Sequence, residues 1–233
     1  SVGGKTGIDF GGRKNLIGSF AAPRTVLMDV AFLDSLSEAE FASGMGEVIK
    51  HAIIAGGERF DFLESIAGRR PLASVADGRD VLERIVADSV EVKAGVVARD
   101  PLEAGERRVL NQGHTFGHAL ESVLGLAHGH AVAAGLATAA RLSVSLGQLE
   151  SPTLTRILTL LRRFGLPASV GEAARVAGIV DSAELRELVA KALVADKKRV
   201  EGEVFFALPR GIGRVDIVGL GLASLEAFIR EAA

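Results

Sequence analysis

From Ser37 onward, apolar side chains recur at three- and four-residue spacing in a series of blocks separated by Gly, Pro and charged turns. This pattern predicts a chain that is mainly helical. The blocks run over Phe41 to Ala55, Arg59 to Ile66, Val75 to Ala98, Gly113 to Leu124, Ala131 to Leu146, Pro152 to Phe164 and Ser182 to Val194. Ser37 is placed as an N-cap, with Glu40 at the capping-box position, and Gly165-Leu166-Pro167 stops the sixth block. Ahead of Ser37 the pattern changes to short extended pieces. Gly-rich loops surround Gly3-Gly4 and Gly11-Gly12, and Thr25 to Val30 reads as a β run without an evident partner. Near the C-terminus, Glu203 to Leu208, a turn at Pro209 to Gly213 and Arg214 to Val218 predict a hairpin, followed by a last helix from Ala223 to Ala233. No internal repeat or low-complexity tract interrupts this order.

Composition narrows the classes. With 233 residues and 48% hydrophobic content the chain can bury a sizeable core as one large domain or two small ones. A formal charge of -2 gives no global attraction to nucleic acid or anionic lipid, so basic residues that matter act locally. Cysteine is absent, which excludes disulfides, thiolate ligands and a cysteine nucleophile and points to a cytoplasmic protein. The longest apolar stretch, Ala131 to Ala140, is too short for a bilayer, and no signal peptide is recognised. The chain opens on Ser1 and runs straight into Val2-Gly3-Gly4-Lys5-Thr6-Gly7, as though an earlier segment had been removed.

The candidate chemistry lies in the histidines, four of five falling between Asn111 and His130. Such crowding of imidazoles points to a metal such as zinc. Helical spacing alone puts His114 and His118 on one face, with His128 returning after a Gly-rich turn. The best upstream donor is Glu47, in Gly46-Glu47-Val48-Ile49-Lys50-His51, where an acid and a lysine interrupt an apolar helix. A carboxylate with two or three imidazoles is a usual catalytic zinc set.

Other polar groups are less telling alone. Gly3-Gly4-Lys5-Thr6 invites comparison with a phosphate loop, but the earlier glycine and the preceding strand of that motif are missing. Lys5, Lys14 and Asn15 lie in glycine-rich surroundings that can hold an anion. Asp100 to Asn111 is a charged loop that feeds the histidine helix, and Arg107 within it can fork onto a carboxylate or phosphate. Lys93 reads as a snorkelling lysine on a long apolar helix, and Lys197-Lys198 as a pair meeting a helix dipole.

Taken together, Ser1 to Thr6, Gly12 to Gly18, Glu47-Val48-Ile49-Lys50, Asp100 to Asn111, Gly113-His114-Thr115-Phe116-Gly117-His118 and His128-Gly129 resemble the signatures of the 3-dehydroquinate synthase family, of the sugar-phosphate cyclase superfamily. The resemblance extends through Asp196-Lys197-Lys198 and Phe205 to Pro209. It implies a helical metal-binding C-terminal domain over 38–233, a β remnant of a nucleotide-binding α/β domain over 1–37, and a small hairpin near the C-terminus. It also implies Glu47, His114 and His128 as ligands of a divalent metal, zinc or cobalt, with His118 facing substrate instead. Lys5, Lys50, Lys93, Arg107, Asn111, His118 and one of Lys197-Lys198, Lys197 being favoured, would hold the substrate. Lys5, Lys14, Asn15, Phe32, Leu33, Asp34 and Ser35 match positions that contact NAD. The implied reaction converts 3-deoxy-D-arabino-heptulosonate 7-phosphate to 3-dehydroquinate, in a homodimer.

Two departures stand out. His130 occupies a position where the family usually has Glu, and the N-terminal nucleotide-binding domain is missing, so the chain alone is expected to show little or no synthase activity unless a separate NAD-binding domain joins it. The competing readings are a related cyclase with another sugar phosphate, a metal-dependent polyol dehydrogenase, which would not need Arg107, Asn111 and so many lysines, and a helical remnant that only dimerises or binds metal.

Overall fold

The computed structural model describes residues 2–11, 13–68, 78–195 and 203–221, together with Leu225 and Phe228. Two short strands, β1 (Ile8–Phe10) and β2 (Arg13–Ile17), pair antiparallel and precede a 3₁₀ turn over Val30–Ser35. Among the described residues eight α-helices follow: α1 (Glu38–Ala55), α2 (Glu58–Ile66), α3 (Gly78–Arg99), α4 (His114–Leu124), α5 (His128–Ser145), α6 (Ser151–Arg163), α7 (Val170–Val176) and α8 (Ala183–Ala195). The hairpin of β3 (Glu203–Gly211) and β4 (Arg214–Gly221) comes last. The described residues are thus mainly helical. None of their helices is long and apolar enough to cross a membrane.

Helix α5 is the axis of the packing. All but two of its first fifteen residues are buried, small alanines alternating with Val132, Leu136 and Leu142, so it meets neighbours on every side. One core lies between it and α1, α2, α3 and α6, built on Ile49, Ile53, Phe60, Leu82, Leu161 and Phe164. A second lies on its other side, where Phe116, Leu120, Val189, Leu193, Phe206 and Leu208 come from α4, α8 and β3. The hairpin is pinned to this frame at both ends of its turn. Ser143 Oγ donates to Pro209 O at 2.5 Å, and Gly213 N donates to Ile53 O at 2.8 Å.

The crossing of α1 and α5 is unusually close. A Cβ on Gly46 would lie 2.4 Å from Gly129 O, and one on Gly129 would lie 1.7 Å from Ser43 O. Backbone is in contact with backbone here, which only glycine permits. This contact brings the start of α5 against the middle of α1 and sets the position of the candidate site.

The helix start at Ser37 is as its sequence predicts. Ser37 Oγ accepts from Glu40 N, and the Glu40 carboxylate accepts from Ser37 N at 2.9 Å. Helix α5, however, begins three residues earlier than the apolar periodicity, at His128, because its first turn carries imidazoles. Helix α7 adds to the predicted blocks: its seven residues are too few to show a period, although Ser169 caps it by accepting from Glu172 N at 3.0 Å. The expected strand over Thr25 to Val30 is corrected: residues 21–29 form no ladder, and Leu27 is 92% exposed. β propensity without a partner edge does not make a strand, and the pairing lies instead between β1 and β2. Residues 75–77, Lys197 and Lys198 lie outside the described residues, as does most of the expected last helix, of which Leu225 and Phe228 are seen as helical.

Candidate active site and metal centre

Glu47 projects from the third turn of α1, while His114 and His128 are the first residues of α4 and α5. Gly113, at φ +77°, turns the chain sharply into α4, and a side chain there would strike Leu136 and Val132 of α5. These three helix positions bring Glu47, His114 and His128 into one group whose ligand atoms all lie within 4.8 Å of one another. His114 Nε2 is 3.4 Å and His128 Nε2 3.6 Å from Glu47 Oε1. His118 lies alongside, its ring 5.5 Å from that of His114, but outside the converging set. Spacing alone pairs His114 with His118; the tertiary arrangement brings His114 to His128 and Glu47 instead.

The surroundings fix which nitrogen faces inward. His114 Nδ1 lies 3.2 Å from Gln112 O, and His128 Nδ1 lies 3.1 Å from Glu121 Oε2. Both partners only accept, so each Nδ1 carries the proton and each Nε2 turns a lone pair to the centre. Glu47 Oε1 is buried there without a hydrogen-bond partner. Two imidazole lone pairs facing an orphaned carboxylate oxygen fit a divalent cation, and the N₂O donor set is one that zinc or cobalt accepts.

The other carboxylate oxygen is already engaged. Lys50 Nζ, 3% exposed as a residue, donates to Glu47 Oε2 at 2.6 Å. Burial lowers the pKa of Lys50, and Glu47 opposes that fall. For Glu47 burial acts to raise the pKa, but His128, Lys50 and His114 outweigh it and hold the carboxyl far below its ordinary range. Lys93 of α3 lies near enough to depress both Lys50 and Lys5. Lys5 is lowered by burial first, then by Arg107 and Lys93. A strip of cations therefore runs from the histidine group to the N-terminal segment.

Along that strip the candidate substrate residues have partners of their own. Arg107, 4% exposed, donates from Nη1 to Pro101 O and from Nη2 to Gly3 O, each at 2.7 Å. Lys5 pairs with Glu103, and Asn111 Nδ2 donates to Glu103 Oε1 at 2.8 Å. Of the candidate NAD positions, Phe32 to Ser35 form a separate group just before α1. Phe32 is 77% exposed, Leu33 packs on the first core, Asp34 accepts from Arg79 Nη2 at 2.8 Å, and Ser35 Oγ donates to Phe32 O at 2.9 Å. The side chains of Lys14 and Asn15 lie outside the described residues, although their backbone is part of β2. Glu121, Gln112 and Glu103 were not singled out from sequence. An acid one heptad before His128 on the adjoining helix was the only available signal for Glu121.

One turn beyond Glu47, His51 is buried between α1 and α3. Its Nδ1 is 2.6 Å from Ser89 Oγ and its Nε2 has no partner. Burial, then Lys50, press its pKa down to about 3, with Lys93 and His114 adding to the fall and Glu47 opposing it. The unfolded chain takes up a proton near pH 6.5 that the folded chain refuses until about 3. His51 therefore contributes its full stability above about pH 6.5 and loses it as pH falls through that window, at up to about 1.4 kcal/mol per pH unit. Urea unfolding at about pH 7 and about pH 5 should show a shallower acid loss for His51→Asn than for the parent chain. Equal slopes would refute this assignment.

The sequence comparisons agree with the geometry. Residues 44–199 match the family described as 3-dehydroquinate synthase C-terminal, and residues 1–43 match that described as 3-dehydroquinate synthase N-terminal. The chain belongs to the 3-dehydroquinate synthase family. It is 42% identical over 223 residues to the 3-dehydroquinate synthase of Pelobacter propionicus, covering 94% of this chain and 58% of the relative. To the same enzyme of Paracoccus denitrificans it is 42% identical over 218 residues, 92% of this chain and 56% of the relative. It thus spans under three-fifths of these family members. Among solved structures, a 2-epi-5-epi-valiolone synthase from Streptomyces hygroscopicus with NAD+ and Zn2+ bound aligns with a TM-score of 0.80 at 26% identity, over 100% of this chain and 62% of that one. A 2-deoxy-scyllo-inosose synthase complexed with carbaglucose-6-phosphate, NAD+ and Co2+ aligns at 0.79 over 98% of this chain and 61% of that one; at 22% identity it speaks for the 3-dehydroquinate synthase-like fold alone.

Proposed function

We propose that this chain is the metal- and substrate-binding part of a 3-dehydroquinate synthase, with residues 38–233 as the helical unit and residues 1–37 belonging to a nucleotide-binding α/β unit. Its reaction is the conversion of 3-deoxy-D-arabino-heptulosonate 7-phosphate to 3-dehydroquinate and phosphate, in a cytoplasmic homodimer. The observation that carries this reading is the convergence of Glu47 Oε1, His114 Nε2 and His128 Nε2 beside a line of cationic side chains. Bound there, a zinc or cobalt ion would polarise a substrate hydroxyl, while NAD would accept and return a hydride.

The chain's own residues supply positioning and charge. A substrate carrying a phosphate and a carboxylate requires fixed cations, and Lys5, Lys50, Lys93 and Arg107 provide them, with Asn111 and His118 for neutral oxygens and Lys197 as a further cation. Arg107 and Asn111 favour a substrate with a carboxylate over that of a cyclase whose substrate lacks one. Lys5, Lys14, Asn15 and Phe32 to Ser35 are the proposed NAD contacts.

The test is a chimera in which this chain replaces the matching part of the Pelobacter propionicus enzyme. With zinc and NAD it should release phosphate from the heptulosonate phosphate without accumulating NADH, and His114→Ala should lower turnover by about a hundredfold or more. A chimera that binds zinc yet releases no phosphate, or that accumulates NADH with a simple polyol, would overturn the synthase reading.

A further inference from the structure

Helix α5 opens without a cap of its own. Ala127 stands at the N-cap position and makes no side-chain hydrogen bond. Alanine is a poor residue there, because the position calls for a side-chain oxygen that accepts from the second or third N–H of the helix. That oxygen comes from another helix instead. Ser43 Oγ of α1, 86 residues away in sequence, accepts from Gly129 N at 3.1 Å. His130 N and Ala131 N both turn back to Ala127 O, at 3.0 and 3.1 Å, so Ser43 meets an N–H that Ala127 O does not reach.

The group held in this way adjoins a proposed metal ligand. His128 precedes Gly129, and Glu47 lies one helical turn after Ser43 on the same face of α1. Two rungs therefore join α1 to the start of α5. One is the bond from Gly129 N to Ser43 Oγ; the other is the approach of His128 Nε2 to Glu47 Oε1, at 3.6 Å. We infer that Ser43 is a positioning residue of the metal centre: its hydroxyl caps α5 from α1 and so sets the spacing of Glu47 and His128 without touching the metal. The inference rests on the metal-binding part of the synthase reading and on nothing about the substrate.

The neighbouring contacts do not do the same work. The glycine contact of Gly46 and Gly129 limits how closely the two helices approach, but close packing has little direction of its own. Glu121 steers the His128 ring and acts on the side chain alone. Ser43 acts on the main chain, through a half-buried bond of ordinary N–H···O length. With the hydroxyl removed, Gly129 N is left to water and the first turn of α5 loosens. The ligand pair is then assembled in only a fraction of the molecules, and the apparent metal affinity falls by that fraction.

Zinc binding to the 233-residue chain, followed by competition with a chromophoric chelator, tests this together with the melting temperature of the metal-free protein. Ser43→Ala should raise the zinc dissociation constant by about tenfold, as does the loss of other groups that orient a ligand. It should lower the melting temperature by about 2–4 °C. Ala127 is exposed, so Ala127→Ser can supply a cap from within the chain of α5 itself. The double variant Ser43→Ala/Ala127→Ser should regain the melting temperature and not the zinc affinity, because the new cap does not reach α1. Ser169→Ala removes a comparable cap from α7, where Ser169 Oγ accepts from Glu172 N at 3.0 Å, and should leave the zinc constant within about twofold. An unchanged zinc constant in Ser43→Ala would overturn the inference, as would recovery of zinc affinity in the double variant or an equal loss in Ser169→Ala. A parent chain that binds no zinc would overturn it along with the metal centre. Failure of the chimera to release phosphate, with the Ser43 effect intact, would sink the synthase reading alone.

Discussion

Replacing Glu47 with glutamine is expected to raise the zinc dissociation constant by about a hundredfold or more and, separately, to destabilise the apo chain. The first effect follows from the loss of a charged ligand, which exceeds the roughly tenfold to hundredfold cost of losing a group that merely supports one. The second follows from Lys50, whose ammonium is enclosed and donates to Glu47 Oε2 at 2.6 Å. An uncompensated buried charge costs about 3–5 kcal/mol, and the partial exposure of Glu47 points to the lower end of that range. In a chain of this size such a loss lowers the melting temperature by roughly 10 °C. The two effects separate in the double variant Glu47→Gln/Lys50→Met, which should recover much of the stability and none of the zinc affinity. Zinc binding by Glu47→Gln equal to that of the parent would remove the basis of the metal centre.

Gly129→Ala should have the largest effect on folding. The added methyl would lie 1.7 Å from Ser43 O and 2.7 Å from Ser43 Oγ, and the carbonyl belongs to helix α1, which no rotamer change can move. Relief requires the two helices to separate. Overpacking usually costs about 1–3 kcal/mol, and a clash of backbone with backbone belongs above that range. His128 precedes Gly129 and Glu47 follows Gly46, so the same separation should weaken zinc binding. Gly44→Ala, one helical turn before Val48 on the exposed side of α1, meets nothing within 4 Å and should instead stabilise the chain by about 0.5–1 kcal/mol. Chemical denaturation of the two variants gives opposite signs if the glycine contact sets the helix spacing, and similar small effects if it does not.

The helical frame was legible because its signals are local. Ser37 and Glu40 announce α1, and Gly165-Leu166-Pro167 marks the end of α6 at Arg163. The misreadings share one cause, which is that long-range contacts decide them. Thr25 to Val30 has strand composition, but no edge is offered to it. Helix α7 depends on Val170, Ala173 and Ala174 packing into the second core, which a seven-residue pattern does not reveal. At the candidate site, the residue types and Glu47 could be read directly, whereas the inward direction of the imidazoles rests on Gln112 O and the Glu121 carboxylate. Those partners are settled by how α4 meets α5. Glu103 shows the same limit, since nothing in Asp100 to Asn111 says that this acid, among several in the loop, crosses to Lys5.

His114 and His128 are each the opening residue of a helix that is packed against a core over most of its length. Neither imidazole rides on a pliable loop, so a slight slide of α4 or α5 is carried straight into the ligand geometry. The visible absorption of a cobalt-loaded chain would therefore act as a strain gauge for the interior, registering a trimmed side chain in either core before the protein loses any secondary structure.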